Sequence, residues 1–202
     1  FNKLTKSSSI SLTAESLIEM KIIKIDSIPP CNWIFINSAF ALNSIMHLKS
    51  GLKSKKIAAF GESTAKYIQK KGLIVDFIGK GAPTNVAQGF SSMVNSDEIV
   101  FFPSSNKSLG TVQSVIDNRN KIIVETYQTL SIAKKVENHD YLIFTSPSNV
   151  EAFLLSNKVN NQKIISIGPS TTKALKKAGI INVLESFQSS ELALADAVFS
   201  LI

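Results

Sequence analysis

The chain has 202 residues, 44% of them hydrophobic, with a net charge of +7 and a single cysteine. That length supplies one large or two small domains, and the apolar fraction can furnish a core for each. One cysteine excludes a disulfide framework and points to a reducing compartment. With only two histidines, far apart at His47 and His139, a transition-metal site is not expected. No apolar run approaches the ~20 residues needed to cross a bilayer. No cleavable leader is visible, so a cytoplasmic location is expected. Nucleic acid is an unpromising partner, because Arg119 is the sole arginine and no aromatic residues alternate with the lysines. Those lysines (Lys53, Lys55, Lys56, Lys70, Lys71, Lys173, Lys176 and Lys177 among them) fall in expected helices and at strand entrances. Their pattern is that of a solvated face; the sharper alternative is a small polyanion steered by a modest positive field.

In chain order, residues 1–8 read as part of a helix and 10–17 as an extended segment similar to 122–129. Ahead of 122–129 stand an expected strand over 98–103 and an expected helix over 109–118. The first copy has no room for that strand, so the encoded chain is expected to be longer. An extended run over 22–28 leads to Pro29-Pro30, which cannot join a central ladder and reads as a stiff link. Cys31 reads as a packed thiol where the next strand starts. Strands are expected over 33–37, 57–60, 75–78, 99–102 and 121–125, and helices over 40–48, 64–71, 84–93 and 109–118. Residues 129–136 form a second link, matching 22–28. Strands follow over 141–145 and 163–167, with a helix between them. A last helix over 171–178 is expected to be capped by Ser170 and stopped at Gly179 in a left-handed conformation.

The two halves repeat. Residues 33–38 align with 141–146 at an offset of 108, and 57–66 with 164–173 at 107; Gly72 and Gly179 keep the second offset. Two links at equivalent places mean that the chain crosses between domains twice. Residues 1–22 and 132–202 are expected to form one lobe and 29–126 an inserted second lobe, with 23–28 and 127–131 as the links. The fold class is α/β, as two doubly wound parallel-sheet lobes joined by a two-stranded link.

Ligands of such sheets bind beyond the carboxyl ends of the strands. The turns there are rich in small polar residues: Asn37-Ser38, Gly61 to Thr64, Pro103 to Asn106, Ser146 to Asn149 and Gly168 to Thr171. Taken singly, each serine or threonine is a helix cap. Taken together they make two rims of helix N-termini, whose free N–H groups and positive dipole ends suit carboxylates or phosphates. There is no phosphate loop and no dinucleotide fingerprint. Gly61-Glu62-Ser63-Thr64-Ala65 departs from a nucleophile elbow in ending on alanine. A serine triad is disfavoured further, since His139 precedes a strand at the opposite edge of its sheet and His47 lies on a helix.

Three segments carry a family resemblance: 140–150 (Asp-Tyr-Leu-Ile-Phe-Thr-Ser-Pro-Ser-Asn-Val), 167–175 (Ile-Gly-Pro-Ser-Thr-Thr-Lys-Ala-Leu) and 124–129 (Val-Glu-Thr-Tyr-Gln-Thr). In order and spacing the chain resembles the uroporphyrinogen-III synthase family over nearly its whole length. It departs from the family's pattern in lacking the opening strand, and in a 102–106 turn without the glycine and arginine often found there. The resemblance implies a monomeric lyase of haem biosynthesis that uses no metal or cofactor. Its substrate would be hydroxymethylbilane, a linear tetrapyrrole with eight carboxylates, closed with ring D inverted and water expelled through a spirocyclic intermediate. It implies substrate contacts at Ser38, Ser63, Thr64, Gly81, Ala82, Ser104, Ser146, Ser148, Pro169, Ser170 and Thr171. It also implies a proton donor in Tyr127, for which the residues alone equally allow a hinge tyrosine packed on Pro29-Pro30. The rival class is a non-catalytic two-lobed protein that closes on a small anion; the absence of a visible leader disfavours its periplasmic version.

Overall fold

The structure, a computed structural model, describes residues 11–201. Residues 1–8 and Ile10, where the sequence places part of a helix and the start of an extended segment, lie outside that range; residues 11–17 form neither helix nor strand. Contacts divide the chain into two compact units. One comprises Met20–Thr129, and the other the residues up to Glu19 together with those from Leu130 onward.

The first unit is built on a sheet whose strands are β1 (Ile18–Ile22), β2 (Trp33–Ile36), β3 (Lys56–Ala59), β4 (Phe77–Ile78), β5 (Val100–Ser105) and β6 (Lys121–Ser131). They lie in the order β1-β6-β5-β2-β3-β4, and every pair from β6 to β4 is parallel. Such pairs need crossovers. From β2 to β5 these are supplied by α1 (Ala39–Ile45) with the short α2 (Lys49–Leu52), by α3 (Glu62–Lys70) and by α4 (Pro83–Ser91), and from β5 to β6 by a segment without an α-helix. All four residues of β2 are buried, as the central strand of a sheet covered on both faces requires. Ile34 and Ile36 point into one core with Leu42, Ile45 and Ile68 from α1 and α3. Trp33 and Phe35 point into the other, where both rings pack on Phe90 of α4 with centroids 5.4 and 4.8 Å away.

Three elements of the first unit differ from the sequence expectation. The helix over 109–118 is absent; in its place are two 3-10 turns, Gln113–Val115 and Asn118–Asn120. Gly110 takes φ +69°, Ile116 is extended, and the Asp117 side chain accepts the Arg119 N–H, so the backbone bonds locally and not along a helix. Val112 and Ile116 are buried all the same, and their helical spacing is what the sequence displays. The strand over 75–78 shrinks to Phe77–Ile78, with the Asp76 carboxylate accepting the Ile57 N–H at 2.8 Å just ahead of it. Strand β6 runs on to Ser131 through residues read as a link.

A close approach holds β4 to the turn after β3. A Cβ on Gly79 would collide with the Phe60 carbonyl oxygen and stand 2.5 Å from a Val86 methyl. Backbone cannot give way as a flexible side chain can, so Gly79→Ala is expected to cost roughly 1–3 kcal/mol, the range of overpacking. Urea unfolding checks this, and an unchanged midpoint would show that the turn relaxes freely.

In the second unit β7 (Tyr141–Phe144), β8 (Lys163–Ser166) and β9 (Val183–Glu185) pair in parallel in that order. Helices α5 (Pro147–Leu154), α6 (Pro169–Lys177) and α7 (Glu191–Phe199) cover the sheet. Leu142, Phe144 and Ile164 face a core with Val150, Phe153 and Leu175, and Ile165 faces Leu194 and Val198 of α7. The internal repeat is visible in the element bounds. Helices α3 and α6 begin at Glu62 and Pro169 and end at Lys70 and Lys177, a constant 107 apart. Gly72 and Gly179 follow them at φ +76° and +84°, the left-handed ends that glycine adopts without a Cβ penalty. Among the described residues, no helix is long and apolar enough to cross a membrane.

Candidate anion-accepting site

Each unit has two kinds of helix start at the carboxyl ends of its strands. The first kind is capped: Ser38 Oγ accepts the Ala41 N–H at 3.2 Å, and Ser146 Oγ accepts the Asn149 N–H at 3.2 Å. The second kind is not. Gly61 before α3 and Gly168 before α6 have no side chain to offer, and neither helix has a side-chain cap. This corrects Ser170, which the sequence places as the cap of α6. Pro169 takes the first helical position, so Ser170 already lies inside the helix. The first N–H groups of a helix have no partner within it. At Gly61 and Gly168 they also lack a serine; the first turn of α3 carries Glu62, whereas that of α6 has no acidic residue to offset its positive end.

In the first unit the two kinds of start meet. Ser38, Ser63 and Thr64 line one cavity of about 380 Å³ with Asn37, Phe60, Gly61 and Tyr67. Tyr67 is held as a wall by its hydroxyl, which donates to Asn43 Oδ1 of α1 at 2.8 Å. The sequence motifs do not single out this tyrosine, although its spacing of three from Thr64 puts it on the same helix face. Gly81 and Ala82 do not line this cavity: Gly81 has φ +79°, and Ala82 is the cap position ahead of α4, which has no side-chain cap. Ser104 is 4% exposed, accepts from Gln113 Nε2 at 2.7 Å and donates to the Phe102 carbonyl at 3.3 Å, so its hydroxyl is engaged inside the fold.

In the second unit Ser148, Pro169 and Ser170 lie in the first turns of α5 and α6, with Pro169 and Ser170 exposed. Thr171 is 1% exposed, and its Oγ1 has no partner among the described residues. Its neighbour Thr172 donates to Glu185 Oε2 at 2.5 Å and lies 2.6 Å from Ser166 Oγ, which fixes the turn from inside.

Tyr127 lies on β6 in the core beneath α1 and α3. It is 8% exposed, with its ring 5.1 Å from that of Phe40. Cys31 is buried and free, and burial pushes its thiol above the usual range, against a pull from Lys55. That leaves it a packing residue. His47 bonds the Ile25 carbonyl at 2.9 Å, and His139 precedes β7 at the amino end of its sheet. Among the described residues, no group of three or more His, Cys, Asp or Glu could hold a metal.

Parallel sheets covered by helices, with uncapped helix starts beside small polar residues at the carboxyl ends of the strands, define an α/β protein whose ligand site is expected at those ends. The family model described as uroporphyrinogen-III synthase HemD matches residues 10–196. The chain belongs to that family. Among solved structures, uroporphyrinogen-III synthetase from Helicobacter pylori 26695 is similar, with a TM-score of 0.77 at 21% identity over 92% of this chain and 91% of that one. A mutant uroporphyrinogen III synthase from the extremely thermophilic bacterium Thermus thermophilus is also similar, with a TM-score of 0.56 at 14% identity over 92% and 85%. No curated protein matches. At these identities the solved structures bear on the fold alone.

Proposed function

We propose that this chain is a cyclising hydro-lyase that converts hydroxymethylbilane to uroporphyrinogen III, the product that its family's name gives. The observation that carries the proposal is the uncapped helix start at Gly61, repeated at Gly168. A flexible substrate with eight carboxylates needs many anion-accepting points, and backbone N–H groups provide them whatever the side chains are. The reaction breaks the C–O bond of the terminal hydroxymethyl group, the hydroxyl leaving with an added proton as water, and forms a C–C bond at the substituted carbon of ring D. The older bond from that carbon to the bridge shared with ring C then breaks, the bridge rejoins ring D at its free α-carbon, and the proton on that carbon is lost. Most of the catalysis is then orientation of the bound chain and a field that suits its charge. Tyr127 donates the proton with which the hydroxyl leaves as water.

Incubation with freshly made hydroxymethylbilane, followed by oxidation and separation of the porphyrin isomers, tests the proposal. An excess of the type III isomer supports it. Type I alone, the product of spontaneous closure, rejects it, and tight binding with only type I product favours a non-catalytic anion-binding protein. Side chains at the helix starts should matter less than the backbone. Thr64→Ala and Thr171→Ala are expected to change kcat/KM only about 2- to 10-fold, the worth of one neutral hydrogen bond. Steady-state kinetics on both variants checks this, and a loss of activity in either would mean that the hydroxyl and not the backbone is required.

A further inference from the structure

Strand β6 is irregular beside Tyr127. Its pairing with β5 runs residue for residue from Val100↔Lys121 to Ser104↔Glu125; the next pair is Ser105↔Tyr127, which leaves Thr126 as an extra residue. Such a bulge re-aims the side chains around it. Upstream, Ile122 and Val124 pack on the core beneath α1 and α3, whereas Ile123 is 48% exposed. Strict alternation would place Thr126 on the core face and Tyr127 on the outer face with Ile123. Instead both are buried, and Tyr127 turns inward onto Phe40 of α1.

The extra residue is held by a buried hydroxyl pair. Thr126 is 0% exposed, and its Oγ1 lies 2.7 Å from Oγ of Ser44, also 0% exposed, on α1. Ser44 gives its one proton to the Ala41 carbonyl at 2.8 Å, so Thr126 is the donor to Ser44. From the other side, the Ile23 N–H donates to the Thr126 carbonyl at 2.8 Å. In an apolar core these hydroxyls have no comparable alternative, so the pair fixes a single placement of the bulge against α1.

We propose that Thr126 and Ser44 are positioning residues: their hydroxyl pair pins the bulge and thereby aims the Tyr127 phenol. The proposal rests on the reading of Tyr127 as proton donor, and its test separates the two. Thr126→Val deletes the hydroxyl and keeps the shape; Thr126→Ser keeps the hydroxyl. Thr126→Val is expected to lower kcat on the order of 10- to 100-fold, as a misaimed catalytic group does, with KM unchanged. Thr126→Ser should restore most of that turnover. In a Tyr127→Phe background, Thr126→Val should cause no further loss, because both changes disable one group. The resonance of Tyr127 in 13C-tyrosine-labelled protein should shift in Thr126→Val and in Ser44→Ala, and stay in place in Thr126→Ser. A folded Thr126→Val protein with parental kcat and an unmoved resonance overturns the proposal, as does a loss that multiplies fully with that of Tyr127→Phe. Should Thr126→Val fail to fold, an unmoved resonance in Ser44→Ala overturns it. Parental turnover in Tyr127→Phe itself removes the proton-donor reading, and the resonance shifts then decide whether the pair sets the ring's position.

Discussion

Tyr127→Phe is expected to slow formation of the type III isomer by roughly 10²–10⁴-fold, the range of general acid catalysis. The change deletes one oxygen and leaves the ring. The ring is what the fold uses, since it packs with Phe40 in a core shared with Ile34, Leu42 and Phe101. Stability and KM should therefore stay close to those of the parent. A loss confined to kcat is the signature of an interaction made only in the transition state. The comparison has to be made against spontaneous closure to the type I isomer, which continues whether or not the enzyme acts. An unchanged ratio of type III to type I in Tyr127→Phe would exclude the phenol as proton donor and leave orientation to account for the rate.

What is legible in the sequence is whatever local chemistry encodes. Gly72 and Gly179 declare their left-handed conformations, Ser38 and Ser146 their caps, and the offsets of 107 and 108 recur in the element bounds. Ser170 is misplaced by one short step, because Ser-Thr before a helical run reads as a cap while Pro169 has already started the helix. The segment over 109–118 fails for a deeper reason. Its apolar spacing is helical, but Gly110 and Asp117 hold the backbone in turns, and burial of Val112 and Ile116 does not need a helix. Strand β9 and helix α7 do not stand out in the sequence at all. α7 is apolar nearly all round, with exposed Leu192 and Phe199 beside buried Leu194 and Val198, so no single stripe marks it. At the site, the turns can be found by residue type, but the bulge at Thr126 cannot. It depends on Ser44, 82 residues away, and on a register that only the paired strands define.

Acid is expected to unfold the first unit partly through Glu98. This residue is 7% exposed at the amino ends of β2, β3 and β5, where it accepts from Lys56 Nζ at 2.7 Å, Trp33 Nε1 at 3.1 Å and the Asn95 N–H at 2.9 Å. The hydrogen bond from Lys56, then that from Asn95, outweigh desolvation and bring its carboxyl down to about 2, from an ordinary 4.5. A carboxyl whose pKa is depressed on folding favours the folded state when it is ionised. Its contribution is complete above the unfolded value of 4.5 and is lost as the pH falls from there toward 2. Glu98→Gln has nearly the same shape but lacks the charge, and leaves the Lys56 ammonium without its carboxylate. It should destabilise the protein by roughly 1–3 kcal/mol near neutrality, the worth of a charged hydrogen bond lost at a mostly buried site. Lys56 is half exposed, which keeps the loss below that of a fully buried pair. Other carboxylates titrate in the same window, so the informative quantity is the difference between the two proteins. Urea midpoints measured from about pH 7 down to about pH 2 should start well apart and converge as Glu98 is protonated. A gap that stays constant with pH would mean that the substituted glutamine fails on shape alone, and that the ion pair with Lys56 contributes nothing to the fold.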